Sequence, residues 1–120
     1  MDDNKITETI IGCAMKVSTA LGPGFLEKVY ENALVYELRK TGLEAEPQKP
    51  IQVFYDGVVV GDYTPDILVN QRIIVELKAV SAIEEAHEAQ LLNYLKATRL
   101  HLGLLLNFGT PRLGIKRKIR

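Results

Sequence analysis

Two almost unbroken apolar runs, Tyr63–Val69 and Arg72–Val80, constrain the fold of this chain more than any other stretch. β-Branched residues and leucine dominate both, the composition of strands buried on both faces. Three charges interrupt them: Asp66, Glu76 and Lys78. Alternate side chains of a strand share a face, so Glu76 and Lys78 point the same way, roughly 7 Å apart along the chain. Val75, Leu77 and Ala79 take the other face. A carboxylate in such surroundings is costly unless paired, protonated or bound to a metal. If the two runs form a hairpin, Asp66 comes alongside Glu76, and two carboxylates with an ammonium at the end of a sheet suit a hard cation. Taken alone, the E-x-K spacing is better explained by a solvated ion pair on an exposed edge; an aspartate after a proline on the preceding strand strengthens the case for a site.

The rest of the chain supplies helices and further strands. Ile6, Ile10, Cys13, Ala14, Val17 and Leu21 recur at helical spacing, which predicts a helix from about Asn4 to Ala20, stopped by Gly22-Pro23-Gly24. A second helix is expected over Phe25–Lys40. There Glu27 heads an apolar stripe of Tyr30, Leu34 and Leu38. A carboxylate at that end is favoured by the helix dipole without any ligand. Ile51–Tyr55 alternates as a strand, and Asp56-Gly57 is a hairpin turn. The chain returns through Val58–Val60, with a bend or bulge at Gly61-Asp62 before the Thr64–Val69 run. After a turn at Asn70-Gln71 comes the Arg72–Val80 strand, which completes an antiparallel three-strand meander.

Ser81, with Glu84 in capping-box position, opens a third helix running to about Thr98. Leu91, Leu92 and Leu95 form its apolar face. A second row, Ile83, His87, Gln90, Tyr94 and Ala97, is polar in the middle. There Gln90 and Tyr94 can reach a ligand or Lys78, and His87 reads as a surface residue. Leu102–Leu106 is a short buried strand. Strand–helix–strand connections are right-handed, so it lies parallel to the strand carrying Glu76. The tail from Leu113 to Arg120 adds an edge strand, whose Lys116, Arg117, Lys118 and Arg120 face solvent or touch phosphate.

With 15 basic and 15 acidic residues the formal net charge is zero, so no global positive field attracts a polyanion, although a local patch can. One cysteine cannot make an intrachain disulfide, which fits a reducing cytosol and a cytoplasmic location. Two histidines and that cysteine are too few for a zinc site. No segment approaches the roughly twenty apolar residues of a membrane span, and Met1-Asp2-Asp3 is unlike a signal peptide. A single domain over residues 1–120 is expected.

Gly24-Phe25-Leu26-Glu27-Lys28-Val29-Tyr30 resembles the signature of the GxxExxY proteins, a family of the PD-(D/E)XK nuclease superfamily. The likeness extends through Pro65-Asp66, Val75–Val80, the His87–Tyr94 segment and Gly103–Gly109, four blocks in the same order. It implies a restriction-endonuclease-like α/β fold: a three-layer α/β/α core with the two N-terminal helices, the meander, the crossover helix, the parallel fourth strand and the edge strand. It also implies that Glu27 belongs to the site. Asp66, Glu76 and Glu27, with the Leu77 carbonyl, would then bind Mg²⁺ or Mn²⁺. Lys78 would orient a water or meet charge on the phosphate. Tyr30, Gln90 and Tyr94 would support these groups from outside. Lys116, Arg117 and Lys118 would contact nucleic acid, DNA ahead of RNA. A homodimer is an allowed assembly. The rival from another class is a non-catalytic nucleic-acid-binding or assembly module that keeps the fold.

Overall fold

The computed structural model describes residues 2–120. In chain order the elements are α1 (Asp3–Leu21), α2 (Glu27–Lys40), β1 (Ala45–Pro47), β2 (Ile51–Tyr55), β3 (Val58–Tyr63), β4 (Ile67–Val69), β5 (Ile73–Lys78), α3 (Glu85–Thr98), β6 (Leu102–Asn107) and β7 (Gly114–Ile119). Five strands make one sheet in the order β1-β4-β5-β6-β7, and β2 and β3 form a separate two-stranded sheet. Within the large sheet only β5 and β6 run parallel, joined by the α3 crossover. The other three pairings are antiparallel.

Alternation along the strands sends side chains into two cores. On one face Ile67, Val69, Val75, Leu77, Leu104 and Leu106 meet Ile6 and Ile10 of α1 and Leu34 and Leu38 of α2. On the other, Leu68, Ile74 and Leu105 meet Leu91 and Leu95 of α3. Each of these side chains contributes about 1.5–3 kcal/mol relative to exposure. The result is the α/β/α layering of the restriction-endonuclease-like fold, with the odd-numbered residues of β5 facing α1 and α2 and the even-numbered ones facing α3.

Three local features differ from the expectation. The meander is divided between β3 and β4. β1, in a stretch where no strand was expected, pairs with Ile67–Val69 and occupies the edge that β3 would need. Thr64-Pro65 then turns the chain away, because proline has no N–H and holds its predecessor extended. The irregularity near Gly61 is present: Val53 faces Gly61 but Phe54 faces Val59, so Val60 is the extra residue. The third helix begins at Glu85 with Glu84 as its cap, not with Ser81. The reason lies in Asn107, whose side chain accepts from Val80 N (3.1 Å) and donates to Val80 O (2.9 Å). With those backbone groups held, the first helical turn is delayed. Helix α2 starts at Glu27, two residues later than expected, since Leu26 stays extended.

Among the described residues no helix is long and apolar enough to cross a membrane.

Candidate active site

The acidic pair is built by the β4–β5 hairpin. Asn70 and Gln71 both adopt left-handed backbone angles (φ 51° and 59°), the geometry of a tight turn whose twist suits paired strands. That turn fixes Ile67 opposite Val75, and Asp66 therefore stands beside Glu76. Asp66 Oδ2 accepts the Leu77 N–H at 2.8 Å. Glu76 Oε1 accepts the Asp66 N–H at 3.4 Å and the hydroxyl of Tyr63. Asp66 Oδ1 and Glu76 Oε2 are the oxygens these bonds leave for a cation.

Burial dominates the electrostatics of the pair. Desolvation, and next the charge of Asp66, push the Glu76 carboxyl up to about 8. Tyr63 is raised well above the ordinary tyrosine value, first by desolvation and then by the charge of Glu76. Near neutral pH and without a cation, Glu76 is therefore largely protonated, as expected when two carboxyls crowd together.

A cavity of about 170 Å³ opens beside Glu76, lined by Tyr63, Glu76, Lys78, His87, Gln90, Leu91, Tyr94 and Leu105; Asp66 is not among its lining residues. The E-x-K alternation puts Lys78 on its wall with Glu76, half-buried. Among the described residues the Lys78 side chain has no hydrogen bond or ion pair. The Lys78 carbonyl accepts the Phe108 N–H at 2.8 Å, which anchors the end of β5. From α3, Gln90 and Tyr94 face the same hollow, and the Tyr94 ring lies on that of Tyr63 with centroids 3.8 Å apart. His87, read as a surface residue, is also on the wall. Its Nδ1 accepts the Glu84 N–H at 3.2 Å in the capping box, which leaves the ring proton of the neutral imidazole on Nε2.

The structure does not bring Glu27 and Tyr30 into this hollow. Glu27 is exposed on the first turn of α2, in the helix layer across the sheet, with no bond to Asp66, Glu76 or Lys78. Tyr30 is fully buried, stacked on Phe108 with centroids 4.8 Å apart, and its hydroxyl donates to Gly22 O at 2.6 Å. The β7 cations are divided between faces. Arg117 donates to Asn4 Oδ1 on the α1 side, and Lys118 pairs with Glu88 of α3 at 2.7 Å. Lys116 lies exposed on the α3 side with Lys118. Tyr63 is the contributor the sequence reading overlooked.

Among the described residues no three His, Cys, Asp or Glu side chains cluster closely enough to cage a metal. Two carboxylates, with the Leu77 carbonyl as a third hard oxygen, still match an ion that retains several waters, as Mg²⁺ does. The donors fit such a group, sparsely.

A family model described as the PD-(D/E)XK nuclease superfamily matches residues 4–118. Among solved structures the chain is similar to an alkaline exonuclease (LHK-Exo) from Laribacter hongkongensis, at 10% sequence identity and a TM-score of 0.50. That match covers 95% of this chain and 82% of the other, a likeness of fold. No curated protein matches the sequence.

Proposed function

This chain belongs to the PD-(D/E)XK nuclease superfamily, and from that membership we propose that it is a metal-dependent hydrolase of phosphodiester bonds, acting on DNA ahead of RNA, in the cytoplasm. Nucleases of this superfamily generally use divalent ions; here Mg²⁺ or Mn²⁺ is proposed, held by Asp66, Glu76 and the Leu77 carbonyl. The GxxExxY assignment within the superfamily, and a homodimeric assembly, are part of the same proposal. One observation carries the reading: two strand carboxyls stand side by side, and a lysine without an ion-pair partner among the described residues shares with Glu76 the hollow beside them.

An ion held by Asp66, Glu76 and the Leu77 carbonyl would supply Lewis acidity toward the phosphodiester and the attacking water. Asp66 is held in place by the Leu77 N–H and Glu76 by the Asp66 N–H, so both present oxygens without further reorganisation. Lys78 orients the attacking water or meets charge developing on the phosphate. Gln90 and Tyr94 hydrogen-bond the phosphate or Lys78 from α3. Glu27, on the first turn of α2 across the sheet, has no part in this arrangement.

The test is cleavage of labelled oligonucleotides, single- and double-stranded, with Mg²⁺, Mn²⁺ or EDTA. Asp66→Ala and Lys78→Ala are expected to lower cleavage at least 100-fold while the circular dichroism spectrum stays that of the folded protein. Wild type that binds no divalent ion and cuts nothing would overturn the reading. The non-catalytic alternative predicts EDTA-resistant, salt-dependent binding that survives Asp66→Ala. On β7 that alternative would draw on Lys116 and Lys118, which share the α3 side, with Lys118 paired to Glu88 and Arg117 turned to the opposite face.

A further inference from the structure

Tyr63 closes β3, the last strand of the hairpin that stands apart from the main sheet. Its hydroxyl donates to Glu76 Oε1, the same oxygen that accepts the Asp66 N–H. A carboxylate engaged through one oxygen by two donors has little torsional freedom left, and its other oxygen is directed by the bonds on the first. The ring of Tyr63 is itself held, parallel to that of Tyr94 within 11° and with centroids 3.8 Å apart. Tyr94 belongs to α3, and the Glu76 carboxylate to β5. One side chain therefore touches a carboxylate of the acidic pair and stacks on the helix that covers it.

We infer that Tyr63 is a positioning residue, fixing the Glu76 carboxyl toward Asp66 through its hydroxyl and tying that orientation to α3 through its stack on Tyr94. The inference rests on the proposal that Asp66 and Glu76 share a divalent ion. It goes further by assigning the orientation of one ligand to a residue outside the acidic pair and its E-x-K strand. Partners that orient a metal ligand typically contribute 10–100-fold in metal affinity.

A role in packing alone predicts something different. Tyr63→Phe keeps the ring, its stack and nearly all its apolar contact, and removes only the oxygen that donates to Glu76. If the tyrosine merely fills space, this change leaves the metal site untouched.

The experiment is isothermal titration of Mn²⁺ into the full chain, wild type against Tyr63→Phe, with thermal unfolding of both recorded without metal. The expected result is an affinity 10–100-fold weaker in Tyr63→Phe, with the cooperative unfolding transition retained. Equal affinities overturn the inference and leave the proposed function standing. No Mn²⁺ binding by wild type overturns both. Should Tyr63→Phe fail to fold, wild type carrying ¹³C-labelled tyrosine decides the question. Its Tyr63 Cζ resonance moves on saturation with Mg²⁺ if the hydroxyl bonds a ligand carboxylate, and an unmoved resonance overturns the inference.

Discussion

Glu76 concentrates the tension in this molecule. Its carboxyl is raised to about 8 in the fold and returns to about 4.3 in the unfolded chain. Between those values the folded state holds a proton that the unfolded state has lost, so unfolding releases it. Stability therefore falls as pH rises through that window, by about 1.4 kcal/mol per pH unit at the steepest. Above the window the full destabilisation is present, and below it none. Without metal, Glu76→Gln should flatten this slope and be more stable than wild type at pH 8, as read by urea unfolding from pH 5 to 9. A cation must displace the same proton, so the affinity of wild type for Mg²⁺ should increase with pH up to about 8. At this scale the sequence was partly legible. The period of two placed Glu76 with Lys78, and the turn at Asn70-Gln71 placed Asp66 beside them. Tyr63 was not legible, because an aromatic in a strand pattern looks like any other core residue until the hairpin leaves the sheet. The reverse holds for Tyr30: its motif suggested the site, and its ring packs on Phe108.

Elements carry the positions of these residues, and the end of β5 is held most tightly. Asn107 is buried, accepting from Val80 N and Gly109 N and donating to Val80 O. Gly109 lies so close that a Cβ there would sit 2.3 Å from Val80 N and O. Both clamps act two residues beyond Lys78. Asn107→Ala strands buried backbone groups and should cost about 1–3 kcal/mol. Gly109→Ala forces backbone apart and should cost at least as much as the 1–3 kcal/mol typical of an overpacked core. Thermal denaturation of each variant measures the loss. The partner of Asn107 is 27 residues away, a contact that leaves no periodic trace in the sequence. β1 escaped for a similar reason: three residues ending in proline cannot announce a strand, and only pairing with Ile67–Val69 makes them one. Helices α1 and α2 were plain, since apolar spacing over four to five turns is a strong signal and glycines end both.

Across the whole molecule, the site lies where the smaller core ends, between the β2–β3 hairpin and α3. An ion bound there links β4, β5 and, through Tyr63 and Tyr94, both flanking units. Saturation at 100 times the dissociation constant should stabilise the protein by about 2.7 kcal/mol. Differential scanning fluorimetry should show that gain for wild type in Mn²⁺ and its loss in Asp66→Ala. The layering was an implication of the family resemblance and the parallel placement of β6 came from the handedness of the crossover, whereas the separation of the hairpin depended on competition for one strand edge. Gly103, finally, lets Leu91 settle almost onto the β6 backbone, where a Cβ would stand 2.9 Å from its Cδ1. The helix thus rides low, and the chamber beneath it is only about 170 Å³, enough for on the order of five waters. Under the proposed nuclease reading, a chamber of that size would seat the charged linkage and its hydration, and any preference among bases would fall to surfaces outside the doorway.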